Sequence, residues 1–174
     1  MDTFSLIIHV TAAAVLVGPQ LLLFLAVIPS TWLIEDERLR RDVTRVVTAR
    51  FGMISGIAIV ALLATGLYQF YQLVPEVVQD DINGFRFGPL FALKMTLFVA
   101  MVALIAAHAF VFARRIARWS DAVIANPDDE NALWHLDQQR RWSFLLSFVM
   151  ILISLATLFL GVTLGHHEFS YVPR

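Results

Sequence analysis

Charge falls along this chain in blocks separated by long uncharged intervals. No Lys, Arg, Asp or Glu lies between Asp2 and Glu35, between Arg50 and Glu76, or between Arg141 and Glu168, and the interval from Phe87 to Ala113 is broken only by Lys94. Each interval is long enough to cross a hydrocarbon core of about 30 Å, which takes roughly 20 residues at 1.5 Å rise. The pattern therefore predicts four transmembrane helices over about 4–33, 51–74, 88–113 and 143–166. A buried helix of a soluble bundle would keep a polar stripe, whereas these segments are apolar on all sides. The first has no basic leader and its apolar run is too long for a signal-peptide core, so it is expected to remain in the mature protein.

The polar connections predict how the helices are threaded. Arg38, Arg40, Arg41, Arg45 and Arg50 lie between the first two spans, and Arg114, Arg115, Arg118, Arg140 and Arg141 between the last two. Basic residues mark cytoplasmic connections. The middle connection holds Arg86 beside Glu76, Asp80 and Asp81, so it and both termini are expected outside, on the periplasmic side of a bacterial inner membrane. Short connections make neighbouring helices antiparallel. The expected fold is all-α: one domain over 1–174, an integral membrane four-helix up-down-up-down bundle, with a cytoplasmic polar loop over about 114–141. Within that loop Pro127, Asp128, Asp129 and Glu130 read as a turn leading into a short helix, and His135 reads as a surface histidine.

Composition agrees and narrows the chemistry. Of 174 residues, 59% are hydrophobic and 16% charged, too little charge for an ordinary soluble domain of this size. A net charge of −1 supplies no basic field for nucleic acid. The absence of cysteine removes disulfides, thiolate metal sites and cysteine nucleophiles. Trp32, Trp119 and Trp142 near the cytoplasmic ends, and Tyr68 and Tyr71 near the outer end of the second span, suit an interfacial aromatic belt. Gly52 with Gly56, and Gly161 with Gly165, form small-xxx-small pairs suited to close helix packing.

The informative residues are the ionisable ones at membrane depth, where charge is costly and usually functional. Lys94, the sole lysine, lies about six residues into the third helix, roughly 9 Å deep. His9 lies about five residues into the first helix, and His166 and His167 end the fourth on the same side. Four nitrogen donors from three helices thus share one layer. His108 follows Lys94 on nearly the same stripe, roughly 21 Å further in, with Met101 between them. That stripe reads either as a polar pathway or as core packing around Met101.

A neutral imidazole offers a lone pair to iron, copper or zinc. Lysine ligates only as the neutral amine, and an amine and an imidazole on opposite faces of a porphyrin are chemically admissible. Arg86 is placed to pair with a haem propionate. The rival arrangements are two imidazoles, from His9 and either His166 or His167, or a copper(I) ion on the same histidines. Met95 is the one sulfur at that depth, on a different face from Lys94. No carboxylate lies inside the bundle, which excludes carboxylate proton relays and di-iron centres, and there is neither a phosphate loop nor HExxH. What remains is redox or metal chemistry, any enzyme being a haem-dependent oxidoreductase, or a non-catalytic membrane subunit or scaffold.

His9, Arg50-Phe51, Thr65-Gly66 and the run FGPLFALK from Phe87 to Lys94 resemble the membrane domain of the copper-resistance protein D family. The resemblance covers most of residues 5–115 and implies a bacterial inner-membrane protein associated with copper handling. The bacterial membrane protoporphyrinogen oxidases of the HemJ type are similar more distantly. That likeness implies His9 and Lys94 as ligands of haem b. Where that group carries Leu-Pro-Arg after the first helix, this chain has Val27-Ile28-Pro29-Ser30, so the likeness implies a haem site more than the oxidase activity. The partners expected are the lipid bilayer, a haem or copper ion, and a second copy of the chain or a larger membrane complex.

Overall fold

The computed structural model describes residues 2–173. Four long helices, Thr3–Thr31, Glu37–Leu73, Phe87–Ala125 and Glu130–Gly165, are each long and apolar enough to cross a membrane. Here they are called the first to fourth helix. They form an all-α, multi-pass membrane bundle. The first packs most extensively along the second and the third along the fourth, and the first and fourth close the ring.

Three of the four helices extend well beyond the apolar intervals. The second begins at Glu37, not near 51, because Asp36 caps it by accepting the Arg38 N–H at 2.8 Å. The fourth begins at Glu130, not near 143, with Asp129 accepting the Ala132 N–H at 3.0 Å. The third runs on to Ala125. The expected polar loop over 114–141 is therefore a helical hairpin whose connection spans only residues 126–129. At 1.5 Å per residue the 37-residue second helix is about 55 Å long, well beyond the hydrocarbon core. Its charged first turns project from the arginine-rich end of the bundle. There Trp119 stacks on His135 with ring centroids 4.4 Å apart, so His135 is half-buried in the hairpin instead of free in water.

Two π-helical turns interrupt the ladder. Leu23–Val27 precedes Pro29, whose missing N–H and ring cannot continue a regular turn. The other, His108–Phe112, lies in the third helix. At the far end, a short helix Glu76–Asp80 and a 3-10 turn Ile82–Gly84 lead into the third helix. Gly88 permits this turn, since a Cβ there would collide with the Ile82 carbonyl. The segment after the fourth helix, containing the short helix His167–Ser170, folds back over this region. The Arg86 N–H donates to the Val172 carbonyl at 3.1 Å, Phe85 bridges Pro173, and Phe87 and Tyr171 pack ring to ring.

Side chains recurring at alternating three- and four-residue steps line the interior. They are Ser5, His9, Ala12 and Leu16 on the first helix; Ser55, Ala58, Leu62, Thr65 and Gln69 on the second; Lys94, Phe98, Met101, Ile105 and His108 on the third; and Ser143, Ser147, Met150, Ser154, Thr157 and Gly161 on the fourth. This is the seam spacing of antiparallel bundles. Outward faces carry large apolar side chains, such as Ile57 and Phe159, that only lipid can cover. The glycine pairs behave differently from the sequence expectation. Among the described residues nothing approaches within 4 Å of a Cβ placed on Gly52, Gly56 or Gly165, whereas Gly161 packs against Lys94.

Candidate functional site

The bundle interior holds polar groups in layers, and one of those toward the end away from the arginine-rich base is built on His9. Its Nδ1 lies 2.7 Å from Thr65 Oγ1, and the Thr65 hydroxyl donates its single proton to the Ala61 carbonyl at 2.6 Å. The Thr65 oxygen is left only lone pairs to offer, so it accepts from His9 Nδ1–H. In the tautomer this pairing calls for, the lone pair is on Nε2, the arrangement in which histidine can ligate a metal. One turn outward Gln69 Nε2 approaches Ser5 Oγ at 3.4 Å.

Two glycines make room for the nitrogen-bearing side chains. A Cβ on Gly66 would lie 3.4 Å from His9 Cε1, and one on Gly161 would lie 3.4 Å from Lys94 Nζ. Lys94 thus reaches across to the fourth helix. Both side chains are half-buried. His9 thus packs against the second helix at Thr65 and Gly66, and Lys94 against the fourth at Gly161.

The other nitrogen donors do not join them. His166 and His167 are exposed beyond the end of the fourth helix, and His167 stacks on Tyr171 with centroids 4.8 Å apart. Among the described residues, no three His, Cys, Asp or Glu side chains form a metal-binding group, so His9, His166 and His167 do not assemble into one. Arg86, the residue expected to meet a propionate, lays its guanidinium over the Phe169 ring at 5.2 Å.

Deeper layers continue the series. Ser154 Oγ donates to Gln20 Oε1 at 2.9 Å and lies 3.2 Å from Met101 Sδ, joining the first, third and fourth helices at the centre of the bundle. Gln20 Nε2 and, on the second helix, the buried Oγ of Ser55 have no hydrogen-bond partner among the described residues. Nearer the arginines His108 Nε2 meets Ser143 Oγ at 2.8 Å. At the base Glu37 accepts from Arg140 Nη2 through both oxygens, at 2.7 and 2.9 Å, and from Ser120 Oγ at 2.5 Å.

The sequence stripe Lys94, Met101, His108 is thus real as a face, each member turned toward the fourth helix. Its partners Ser154, Ser143 and Gln20 escaped sequence reasoning that weighed only ionisable groups. The available signal was a neutral polar residue recurring on the apolar seam.

Residues 45–164 match the family described as Copper resistance protein D. No curated protein and no solved structure matches the chain significantly.

Proposed function

This chain belongs to the copper resistance protein D family, and from that we propose that it handles copper at an intramembrane site on which His9 Nε2 takes the ion and Lys94 assists. The observation that carries the reading is the Thr65 contact, which holds the imidazole with its free lone pair on Nε2. The amine of Lys94, neutral when it ligates, is the second donor, and two nitrogen donors suit copper in either oxidation state. His166 and His167, exposed at the same end, are placed to collect the ion at the surface before it enters. The bundle lies in a bacterial inner membrane with its arginine-rich end in the cytoplasm, which puts both termini and the His9 layer on the periplasmic side.

The same donor pair suits axial ligation of haem b, which the HemJ-type likeness favours, so the test separates the two. The detergent-purified protein is titrated anaerobically with copper(I) under ascorbate, its metal content measured, and its visible spectrum recorded. One copper equivalent lost in His9→Ala supports the copper reading. A Soret band lost in His9→Ala replaces it with a haem site. A folded protein that holds neither leaves a scaffold role and overturns both.

A further inference from the structure

Away from the His9 layer, the bundle carries a concentration of unanswered charge on the outside of the third helix. Arg114, Arg115 and Arg118 follow one another within five residues, and all three are exposed. No Asp or Glu lies between Phe87 and Ser120, and the first that follows, Asp121, pairs with Arg41. Among the described residues none of the three arginines enters a salt bridge. Like charges one turn apart, as in Arg114 and Arg118, disfavour a helix taken alone. A helix that carries them is favoured by a counter-charge from outside the chain.

Their height and surroundings define that counter-charge. Lys94 meets Gly161 and Met101 meets Ser154, so each seven-residue step along the third helix matches one along the fourth. The same register sets Arg114 level with Arg141 and Trp142, whose 56% exposure suits a membrane interface. One turn nearer the membrane centre, about 6 Å, Phe110 and Val111 are 63% and 40% exposed. Acyl chains are what cover such side chains in a bilayer. Arg114 Cζ lies over the Phe110 ring, 5.7 Å from its centroid, which holds the charge where the apolar face ends. Guanidinium N–H groups take phosphate oxygens in pairs.

We infer that Arg114, Arg115 and Arg118 form a site for an anionic phospholipid, its phosphate held by the guanidiniums and its acyl chains lying along Phe110 and Val111. A zwitterionic headgroup brings its own ammonium, which three arginines repel. A headgroup with two phosphates answers more of the charge and binds tightest. The site is independent of the copper reading, since it needs only that the bundle spans a bilayer.

The experiment titrates the detergent-purified full chain with phosphatidylglycerol, with cardiolipin, which carries two phosphates, and with phosphatidylcholine, and counts bound lipid by native mass spectrometry. Phosphatidylglycerol should bind about 10- to 100-fold tighter than phosphatidylcholine, and cardiolipin tighter still. The preference should weaken as ionic strength is raised. Arg114→Gln, Arg115→Gln and Arg118→Gln together should abolish it. Arg114→Lys, Arg115→Lys and Arg118→Lys together keep the charge and should retain most of it, so a loss there traced to unfolding of the helix is told apart from a loss of charge by helical content. Arg45→Gln with Arg50→Gln removes exposed charge from the second helix and should leave the preference intact. Equal binding of the three lipids overturns the site. Equal loss in the two Gln variants also overturns it, leaving a diffuse attraction by all the arginines. Displacement of phosphatidylglycerol by an equal concentration of glycerol 3-phosphate overturns the lipid in favour of a soluble phosphate.

Discussion

The two ends of the bundle treat buried charge in opposite ways. At the arginine-rich end, Glu37 is answered within the chain by Arg140 and Ser120, and Arg41 pairs with Asp121 across two helices. At the far end His9 has one neutral hydrogen-bond partner, and among the described residues no carboxylate pairs with Lys94. Charge that is cancelled internally locks helices together. At the far end the nitrogens of His9 and Lys94 have no such answering charge among the described residues, and only as neutral groups do they keep lone pairs that the copper reading proposed above requires.

The sharpest way to break this comparison is to remove Glu37. Glu37→Ala strands Arg140, whose side chain is 22% exposed, and should cost about 2–4 kcal/mol in denaturant unfolding of the detergent-solubilised protein. Copper binding by the folded fraction should not change. If it falls in parallel, the two ends are not independent.

At the other end, Thr65→Val keeps the shape and removes the oxygen that fixes His9. Copper affinity should fall by roughly 10- to 100-fold, while stability changes by about 1 kcal/mol. A competition titration with a copper(I) chelator reads the first and thermal unfolding the second.

The glycines give a finer contrast. Gly66→Ala presses on a ring already held by a hydrogen bond, whereas Gly161→Ala meets the flexible tip of Lys94, each at 3.4 Å. Copper affinity should drop a few-fold in the first and hardly at all in the second, within about 0.5 kcal/mol. Equal effects would show that Lys94 is held as rigidly as His9.

Arg41→Ala should matter least. Its pair with Asp121 is largely exposed, so the loss should be under about 1 kcal/mol and should shrink further as salt is raised.

Much of this was legible in the sequence for identifiable reasons. The apolar intervals bounded by Arg50, Glu76 and Arg141 had to be membrane-crossing helices, because lipid leaves the backbone no other partner. Counting residues inward put His9 and Lys94 inside the bundle, where both are half-buried. The helix ends were not legible from hydropathy, because the charged turns after Asp36 and Asp129 are as helical as the apolar ones they precede. Nor were the side-chain partners, since Thr65 meets His9 only once the register of two helices is set. Gly52 and Gly56 show the opposite error: a spacing suited to close packing faces open space within this chain.

The strap formed by residues 166–173 has a mechanical consequence. Its pairing with residues 85 and 86, together with the tight turn over 126–129, ties the third and fourth helices to each other at both extremities. That hairpin is one tied leaf, facing the leaf made by the first and second helices. The arginine-rich base supplies the spine, through Glu37 with Arg140 and Arg41 with Asp121. At the opposite edge, stacking of Phe70 on Phe91 spans the gap between the leaves. Among the described residues no salt bridge reinforces that edge, so beside His9 and Lys94 the two leaves are held by aromatic and neutral polar packing alone.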